Sequence, residues 1–228
     1  MELDAYPVRV SLPKLVIFDC DGVLVDSEAV SNAVLADALC EAGVPTTAEQ
    51  AQAHYRGKLL EDITEDVKGS SGIVLSEGFW TCYERDRVRA FEEALLPVHG
   101  AAETVAAVKA AGIAVCVASQ GKRAKTELTL GLTGLRALFP DHAIFSAYDV
   151  PRGKPHPDLF LHAAGEMRSP AGSCVVIEDT TIGIRAALTA GMTAIGLAEG
   201  QEARLIVQLG ATTIPSLLDL PPLLESLS

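Results

Sequence analysis

A chain of 228 residues with 49% hydrophobic side chains can bury one core of ordinary size and a smaller insertion, and it is not a disordered or fibrous chain. Its formal net charge of -12 repels polyanions, which excludes duplex nucleic acid as an expected partner. The five cysteines show no paired spacing and no histidines at metal-ligand intervals, which excludes a disulfide framework and a zinc site. We therefore expect a cytoplasmic, reducing setting.

The first fourteen residues contain Glu2, Asp4 and two prolines and lack the long apolar run of a signal peptide or membrane span. We therefore expect no membrane partner. No long heptad repeat or obvious apolar patch predicts a dimer, so a monomer is expected.

A strand buried on both faces is predicted at Leu15 to Phe18, where four consecutive apolar residues meet an acidic triplet. Asp19 and Asp21 flank Cys20, so the alternation of an extended chain places both carboxylates on one side. Gly22 then allows the backbone to turn away. Two carboxylates this close repel each other, and a divalent cation commonly relieves the repulsion. The pattern indicates either a metal site or a solvated turn.

Residues 28–96 show helical patterns and no buried strand. Ser27 is a candidate N-cap for the first helix, and Thr47 with Gln50 forms a capping-box pattern for the second. Residues 70–72 (Ser-Ser-Gly) are expected to separate the last two helices. The predicted helices run from about Glu28 to Ala42, Thr47 to Tyr55, Glu61 to Val67 and Ser76 to Leu95.

From Pro97 onward, strands alternate with helices of about 10 to 15 residues, a pattern typical of a parallel sheet with helices on both faces. An edge strand and a short packing helix are expected in the last segment, which contains three prolines. The other predicted strands are Ile113 to Ala118, Ala143 to Ser146, Cys174 to Ile177 and Thr193 to Leu197, and the predicted helices are Ala101 to Ala111, Arg123 to Gly131, Asp158 to Met167 and Ile182 to Ala190.

Polar clusters follow the longest strands, and ligands bind at the carboxyl ends of strands in open parallel sheets. Ser119 and Gln120 follow the second strand, where a helix start could bind an anion or Ser119 could simply cap the helix. Lys154 lies in a Gly-Lys-Pro-His-Pro-Asp stretch and could be a surface lysine or a partner for Asp19. Glu178 and Asp179 follow the fourth strand; they either interact with a helix dipole or complete an oxygen cage for Mg²⁺.

Four motifs together resemble the haloacid dehalogenase superfamily, in its phosphatase and phosphomutase branch. The nine residues 19–27 (Asp-x-Asp-Gly-Val-Leu-x-Asp-Ser) resemble its first motif, Ser119 its second, and residues 154–158 (Lys-Pro-x-Pro-Asp) its third. Glu178-Asp179-x-x-x-Gly183 resembles the fourth, and the resemblance covers about Leu15 to Leu197. The implied fold is α/β, with a Rossmann-like parallel sheet core (residues 1–27 and 97–228) and an inserted all-helical cap (residues 28–96).

The resemblance also implies a set of roles around a transferring phosphoryl group. Asp19 would be the nucleophile and Asp21 the general acid and base, with an aspartyl phosphate as intermediate. Phosphate binding would fall to Ser119, Gln120 and Lys154. Mg²⁺ would be bound by Asp19, the backbone carbonyl of Asp21, Asp179, and Glu178 either directly or through water. Arg152 and His156 are expected to be backbone or surface residues without a catalytic role.

The cap resembles the type one lid of the β-phosphoglucomutase-like subgroup, which includes sugar phosphate and phosphogluconate phosphatases. Its basic loop Arg56-Gly57-Lys58 would then cover a small phosphorylated metabolite, although a solvated turn is the alternative. True mutases of this subgroup carry a histidine and an arginine where this chain has Ser31 and Leu60. These departures favour hydrolysis of a phosphomonoester over mutase chemistry.

Other reactions remain as alternatives. A phosphonate hydrolase would need a cap lysine that forms a Schiff base, for which Lys58 is the candidate. A dehalogenase of the superfamily would need no metal, and neither Asp21 nor Asp179. A phosphoacceptor signalling domain would lack the helical insertion of about 70 residues.

Overall fold

The computed structural model describes residues 12–226. The expectations for the first eleven residues lie outside the described residues. Within the described part of the chain, no helix is both long and apolar enough to cross a lipid bilayer.

The described chain forms a six-stranded, all-parallel sheet in the order β3-β2-β1-β4-β5-β6. The predicted fold class is confirmed. Because β1 lies at the centre with later strands added on both sides, the strand order reverses beside its carboxyl end, where such sheets bind ligands. The strands are β1 (Leu15–Phe18), β2 (Ala114–Ser119), β3 (Ile144–Ser146), β4 (Cys174–Glu178), β5 (Thr193–Leu197) and β6 (Thr212–Ile214).

Alternate residues of the central strands enter two separate hydrophobic clusters, one on each face of the sheet. Val16 and Phe18 of β1 pack in one cluster with α4, α5, α6 and α10, whereas Leu15 and Ile17 pack in the other with α7, α8 and α9. Both faces are covered, which is why β1 is a continuous apolar run. The helices are α1 (Glu28–Glu41), α2 (Ala48–Tyr55), α3 (Leu60–Ser71), α4 (Glu77–Ala94), α5 (Ala101–Ala110), α6 (Arg123–Leu132), α7 (Asp158–Glu166), α8 (Thr181–Thr189), α9 (Gly200–Gln208) and α10 (Leu220–Ser226).

Helices α1 to α4 share a third hydrophobic cluster, which includes Leu35, Leu39, Val67 and Tyr83. This cluster is separate from the two on the sheet, and we use the name cap for helices α1 to α4. The two chain segments that join the cap to the core run side by side. Asp26 N–H donates to the Leu96 carbonyl and Val98 N–H to the Leu24 carbonyl, each at 2.9 Å.

Two local predictions are confirmed only in part. Ser27 occupies the N-cap position of α1, but its side chain makes no capping bond; its hydroxyl donates instead to Asp21 Oδ1. The predicted break between the last two helices begins only at Gly72, because the hydroxyls of Ser70 and Ser71 donate to carbonyls of the preceding turn and both residues belong to α3.

Helix α9 was not predicted from the sequence, whereas the capping box of α2, formed by Thr47 and Gln50, is present. The edge strand and short packing helix expected near the end of the chain are β6 and α10.

We expect Cys40 and Cys82 to react readily with a thiol reagent in the native protein, because both are exposed. Cys20, Cys116 and Cys174 are buried, and burial raises the pKa of each thiol, which lowers the fraction of reactive thiolate. Mass spectrometry after a short alkylation should show two modified cysteines in native protein and five after denaturation. The Cys40→Ser/Cys82→Ser double variant is the control. Rapid native labelling of that variant would contradict the predicted packing.

Candidate active site

The site begins at the end of β1, where Asp19 and Asp179 approach across a glycine. Asp19 N–H donates to the Ile177 carbonyl at 2.9 Å, which extends the pairing with β4 by one residue. Gly22 has φ +78°, and a Cβ there would lie 2.0 Å from Asp179 Oδ2. The glycine is therefore required both by the backbone conformation and by the close approach of Asp179.

Lys154 joins two strand ends through its ammonium. Its Nζ donates to Asp19 Oδ1 at 2.5 Å and to Glu178 Oε1 at 2.8 Å, and all three side chains are buried. Burial opposes the charge on Lys154, but the two carboxylates more than offset it and hold the pKa of the ammonium above its ordinary value. Burial also raises the pKa of Asp19, an effect that Lys154 opposes. The ammonium therefore favours an ionised Asp19, the form that its predicted role as a nucleophile requires.

Gln120 fixes the loop that carries Lys154. The Gln120 side-chain oxygen accepts the Lys154 backbone N–H at 3.0 Å, and its amide nitrogen donates to the Lys154 carbonyl at 3.3 Å. The preceding residue is Gly153, where a Cβ would lie 2.8 Å from the Gln120 amide nitrogen. Gln120 also lines the cavity. It can therefore lie near a bound phosphate, as predicted, while its side chain binds the Lys154 backbone.

Glu178 is saturated by protein donors. Its Oε1 accepts Lys154, and its Oε2 accepts the backbone N–H groups of Asp179 and Thr180 and the Thr180 hydroxyl, at 2.8 to 2.9 Å. The side chain fits only because Gly183 in α8 has no Cβ, which would lie 1.9 Å from Glu178 Oε1. Glu178 therefore orients Lys154 and the start of α8, and it has little remaining capacity as a direct metal ligand.

Asp179 has one oxygen bound by the cap and one without any partner. Arg56 Nη2 donates to Asp179 Oδ2, while Arg56 Nε donates to Glu28 Oε1 at 2.7 Å. Asp179 Oδ1 is buried and has no hydrogen-bond partner among the described residues. Burial, followed by the nearby charge of Glu178, raises the pKa of Asp179 well above its ordinary value, and Arg56 opposes this rise. A buried carboxylate oxygen without a donor is unusual and costs free energy.

The charges around this oxygen fit a divalent cation. Ligand oxygens of Asp19, Glu178 and Asp179 lie within 4.8 Å of one another. When ionised, these three carboxylates and Glu28 carry four negative charges, against two positive charges from Lys154 and Arg56. The difference of two charges and the all-oxygen donor set match the preferences of Mg²⁺. The residues therefore fit the metal that the sequence analysis predicts.

Asp21 forms a separate pair beside this cluster. Lys125 Nζ and the Ser27 hydroxyl both donate to Asp21 Oδ1. Burial would raise the pKa of Asp21, but these two donors, together with the charge of Arg87, hold it below its ordinary value.

In the part of the chain that the structure describes, the remaining residues considered in the sequence analysis form no hydrogen bond or ion pair with the three clustered carboxylates. Ser119 is buried, and its hydroxyl accepts the Gly121 N–H at 3.1 Å. Lys58 lines the cavity but contacts Asp66 of the cap, and Gly57 also lines the cavity, where a Cβ would lie 3.8 Å from Thr180 Cγ2. Arg152 and His156 are exposed.

A cavity of about 160 Å³ lies between the strand ends and the cap. The predicted residues Asp19, Asp21, Arg56, Gln120 and Lys154 line it. Its lining also contains Glu28, Arg87, Lys122, Lys125 and Tyr148, to which the sequence assigned no role. Glu28 and Arg87 lie on α1 and α4, whereas the other three lie in the core, so only the folded structure brings them to one cavity.

The model of the haloacid dehalogenase-like hydrolase family matches residues 13–191. The chain belongs to the haloacid dehalogenase-like hydrolase family. The 6-phosphogluconate phosphatase of Escherichia coli K12 is 31% identical to it over 209 residues, covering 91% of this chain and 93% of that protein. Hexitol phosphatase B of the same organism is 30% identical over 182 residues, covering 78% and 81%.

A solved structure supports the same assignment. The haloacid dehalogenase family hydrolase from Deinococcus radiodurans R1, with bound phosphate and sodium, is 31% identical, with a TM-score of 0.76 and coverage of 95% of this chain and 97% of that chain. The predicted family and the predicted enzyme class, a hydrolase of the phosphatase type, are therefore confirmed.

We expect Gly183→Ala to destabilise the protein by about 1 to 3 kcal/mol, because a methyl group would displace the buried Glu178 carboxylate. Activity should fall as well, since Glu178 orients Lys154. The measurement is urea unfolding together with a phosphate-release assay.

Gly165→Ala in α7 is the matched control, because nothing lies within 4 Å of a Cβ at that helical position. Higher helix propensity should make this control more stable by up to about 1 kcal/mol. Equal stabilisation by both alanines would contradict the described packing of Glu178.

Proposed function

We propose that the protein is a Mg²⁺-dependent phosphatase that hydrolyses a small phosphomonoester, of the sugar phosphate or phosphogluconate kind, through an aspartyl phosphate on Asp19. The observation that carries this proposal is the cluster of Asp19, Glu178 and Asp179, whose ligand oxygens lie within 4.8 Å of one another, with Lys154 bound to Asp19 and an Asp179 oxygen left without a donor. The named activities of the relatives from Escherichia coli support the substrate class.

Asp19 and Asp179, with the backbone carbonyl of Asp21, would hold the metal, and Glu178 would act through water because its own oxygens already accept protein donors. Bound Mg²⁺ would neutralise and orient the phosphate. Lys154 would contribute a second positive charge where negative charge develops on the phosphoryl oxygens.

In the first step, Asp19 attacks phosphorus, the bond to the leaving oxygen breaks, and Asp21 gives that oxygen a proton. In the second step, Asp21 takes a proton from water as the water oxygen attacks phosphorus. The bond to Asp19 then breaks, which releases phosphate and regenerates the carboxylate. Lys125 favours the ionised Asp21 needed for the second step, whereas a nearby anionic substrate favours the protonated form needed for the first.

We further propose that helices α1 to α4, with the basic loop at residues 56–58, act as a lid over this chemistry. Within residues 12–226, three side-chain hydrogen bonds connect the lid to the core: Arg56 to Asp179, Lys122 to Glu84 at 2.8 Å, and the Tyr148 hydroxyl to Glu61 at 3.2 Å. Such closure would exclude water during attack by Asp19.

The alternative reactions have weaker support. Ser31 and Leu60 both line the cavity, so the two positions at which true mutases carry a histidine and an arginine are filled by groups that cannot replace them. Lys58 pairs with Asp66 rather than with the acidic cluster. Borohydride trapping of an imine on Lys58 would favour a phosphonate hydrolase instead.

Asp19→Asn should reduce turnover by more than about 10⁴-fold, because the amide lacks the nucleophilic oxygen charge while its shape preserves the packing. Phosphate release from a panel of sugar phosphates, with circular dichroism to verify the fold, provides the measurement. Asp141→Asn, at an exposed surface position, is the control and should retain full rates. Turnover by the Asp19 variant at the wild-type rate would rule out the proposed intermediate.

Chelation with EDTA should abolish turnover, and excess Mg²⁺ should restore it. Independently of activity, Mg²⁺ at a hundredfold excess over Kd should raise the Tm by about 5 to 10 °C, because the ion binds the folded state. Asp179→Asn should remove most of this shift, since it changes the buried oxygen that has no partner. A shift of the same size in that variant would place the ion elsewhere.

A further inference from the structure

The positive charges that line the cavity are almost all neutralised by carboxylates. Five of the six cationic side chains in the lining have such a partner. The pairs are Arg56 with Glu28 and Asp179, Lys58 with Asp66, Lys122 with Glu84, Lys125 with Asp21, and Lys154 with Asp19 and Glu178. Arg87, on α4 of the cap, has no ion pair within the described residues 12–226.

Arg87 is nevertheless held in a defined position. Its Nη1 donates to the Tyr83 hydroxyl at 3.3 Å, and its Cζ lies 4.8 Å from the centroid of the Tyr83 ring and 5.9 Å from that of Phe91. Its Nε is buried and has no acceptor among the described residues. The guanidinium is therefore stacked on two aromatic rings at the wall of the cavity, and one of its donors is satisfied by no described residue.

The free donors of Arg87 have the geometry of a carboxylate-binding edge. Because Nη1 bonds Tyr83, the remaining edge consists of Nε and Nη2, whose N–H groups are parallel. The same two nitrogens bind both oxygens of a carboxylate elsewhere in this chain. Arg85 donates to Asp86 at 2.8 and 2.9 Å, and Arg152 donates to Asp158 at 3.1 and 2.9 Å.

Arg87 also lies on the side of the cavity where the leaving part of a substrate would project. Lys125 Nζ, which binds Asp21, lies 5.8 Å from the centroid of the Phe91 ring that Arg87 also contacts. A substrate with its phosphoryl group at Asp19 would direct its leaving oxygen toward Asp21. The remainder of the substrate would then extend toward the Arg87 side of the cavity.

Building on the proposed phosphatase function, we propose that Arg87 binds a carboxylate at the non-reacting end of the substrate. The substrate class is then a phosphorylated sugar acid, which carries a phosphomonoester at one end and a carboxylate at the other. A single guanidinium matches the single charge of a carboxylate. A second phosphate would bring up to two further charges to a cavity whose other cations already have partners.

Two matched substrates test the assignment. 6-Phosphogluconate and glucitol 6-phosphate have the same carbon chain and the same phosphate, and they differ in a carboxylate against a hydroxymethyl group. Fructose 1,6-bisphosphate is the third substrate and tests whether a second phosphate is preferred to the carboxylate. The variants are Arg87→Gln, which removes the charge, and Arg87→Lys, which keeps the charge but removes the parallel pair of donors. Arg85→Gln is the control, because Arg85 lies on the same helix and pairs with Asp86 on the surface.

The wild type should prefer the acid by at least about tenfold in kcat/KM, and Arg87→Gln should lower kcat/KM for the acid by about 10- to 100-fold, mainly through KM. Loss of the Arg87 charge also acts on Asp21, which affects both substrates equally, so the readout is the ratio of kcat/KM for the acid to that for glucitol 6-phosphate. Arg87→Gln should lower this ratio by about 10- to 100-fold, and Arg87→Lys should be intermediate. Equal losses on both substrates, or a wild-type preference for the bisphosphate, would overturn the proposal. Thermal unfolding verifies that each variant is folded.

Calorimetry of the same three phosphates binding to the Asp19→Asn variant, with and without Arg87→Gln, separates this inference from the proposed function. Hydrolysis of none of the three phosphates by the wild type would contradict the proposed function, whereas tighter binding of the acid that is lost in Arg87→Gln would still support the carboxylate site. Hydrolysis of all three with no difference in binding would retain the phosphatase and refute the role of Arg87.

Discussion

The ion pair between Lys154 and Asp19 is the interaction on which the rest of the site depends. It joins the end of β1 to the segment between β3 and α7, and the same ammonium binds Glu178 at the end of β4. Removing Lys154 would leave the buried carboxylates of Asp19 and Glu178 without their counter-charge, which typically costs about 3 to 5 kcal/mol. The surrounding structure is arranged to keep both partners in place. Gln120 binds the lysine backbone, and Gly183 leaves space for the glutamate.

The cationic side chains near the carboxylates of Asp19, Glu178 and Asp179 are held by different parts of the protein, and this difference separates catalysis from substrate selection. Lys154 is buried, contacts only core residues and belongs to the permanent structure of the site. Arg56 contacts Asp179 from the cap, so the position of its positive charge in the site depends on the position of the cap. Arg87 stacks on cap aromatic rings and contacts no carboxylate in the described chain. In the proposed scheme the core supplies the chemistry, while the cap supplies the charge that selects the substrate.

Much of this architecture could be predicted from the sequence. Buried strands such as β1 appear as uninterrupted apolar runs, and the polar residues that follow them mark the site because parallel strands align their carboxyl ends. The cap contacts could not be predicted in this way. Lys125 and Arg87 lie on helices whose orientation depends on packing, and a charged helix residue without a motif resembles any solvated side chain. Helix α9 lacked a side-chain cap at Glu199, so its start carried no sequence signal.

The paired linkers have a consequence for how such a protein can change. Because the chain leaves the core at Asp26 and returns at Leu96, hydrogen-bonded to each other, the helical insertion begins and ends at nearly one point. The insertion also contacts the hydrophobic cluster of the sheet through Phe91, near the end of α4. A module of different size that kept this contact could replace the other inserted helices without altering the register of any strand, so new selectivity could evolve while the reaction chemistry remained intact.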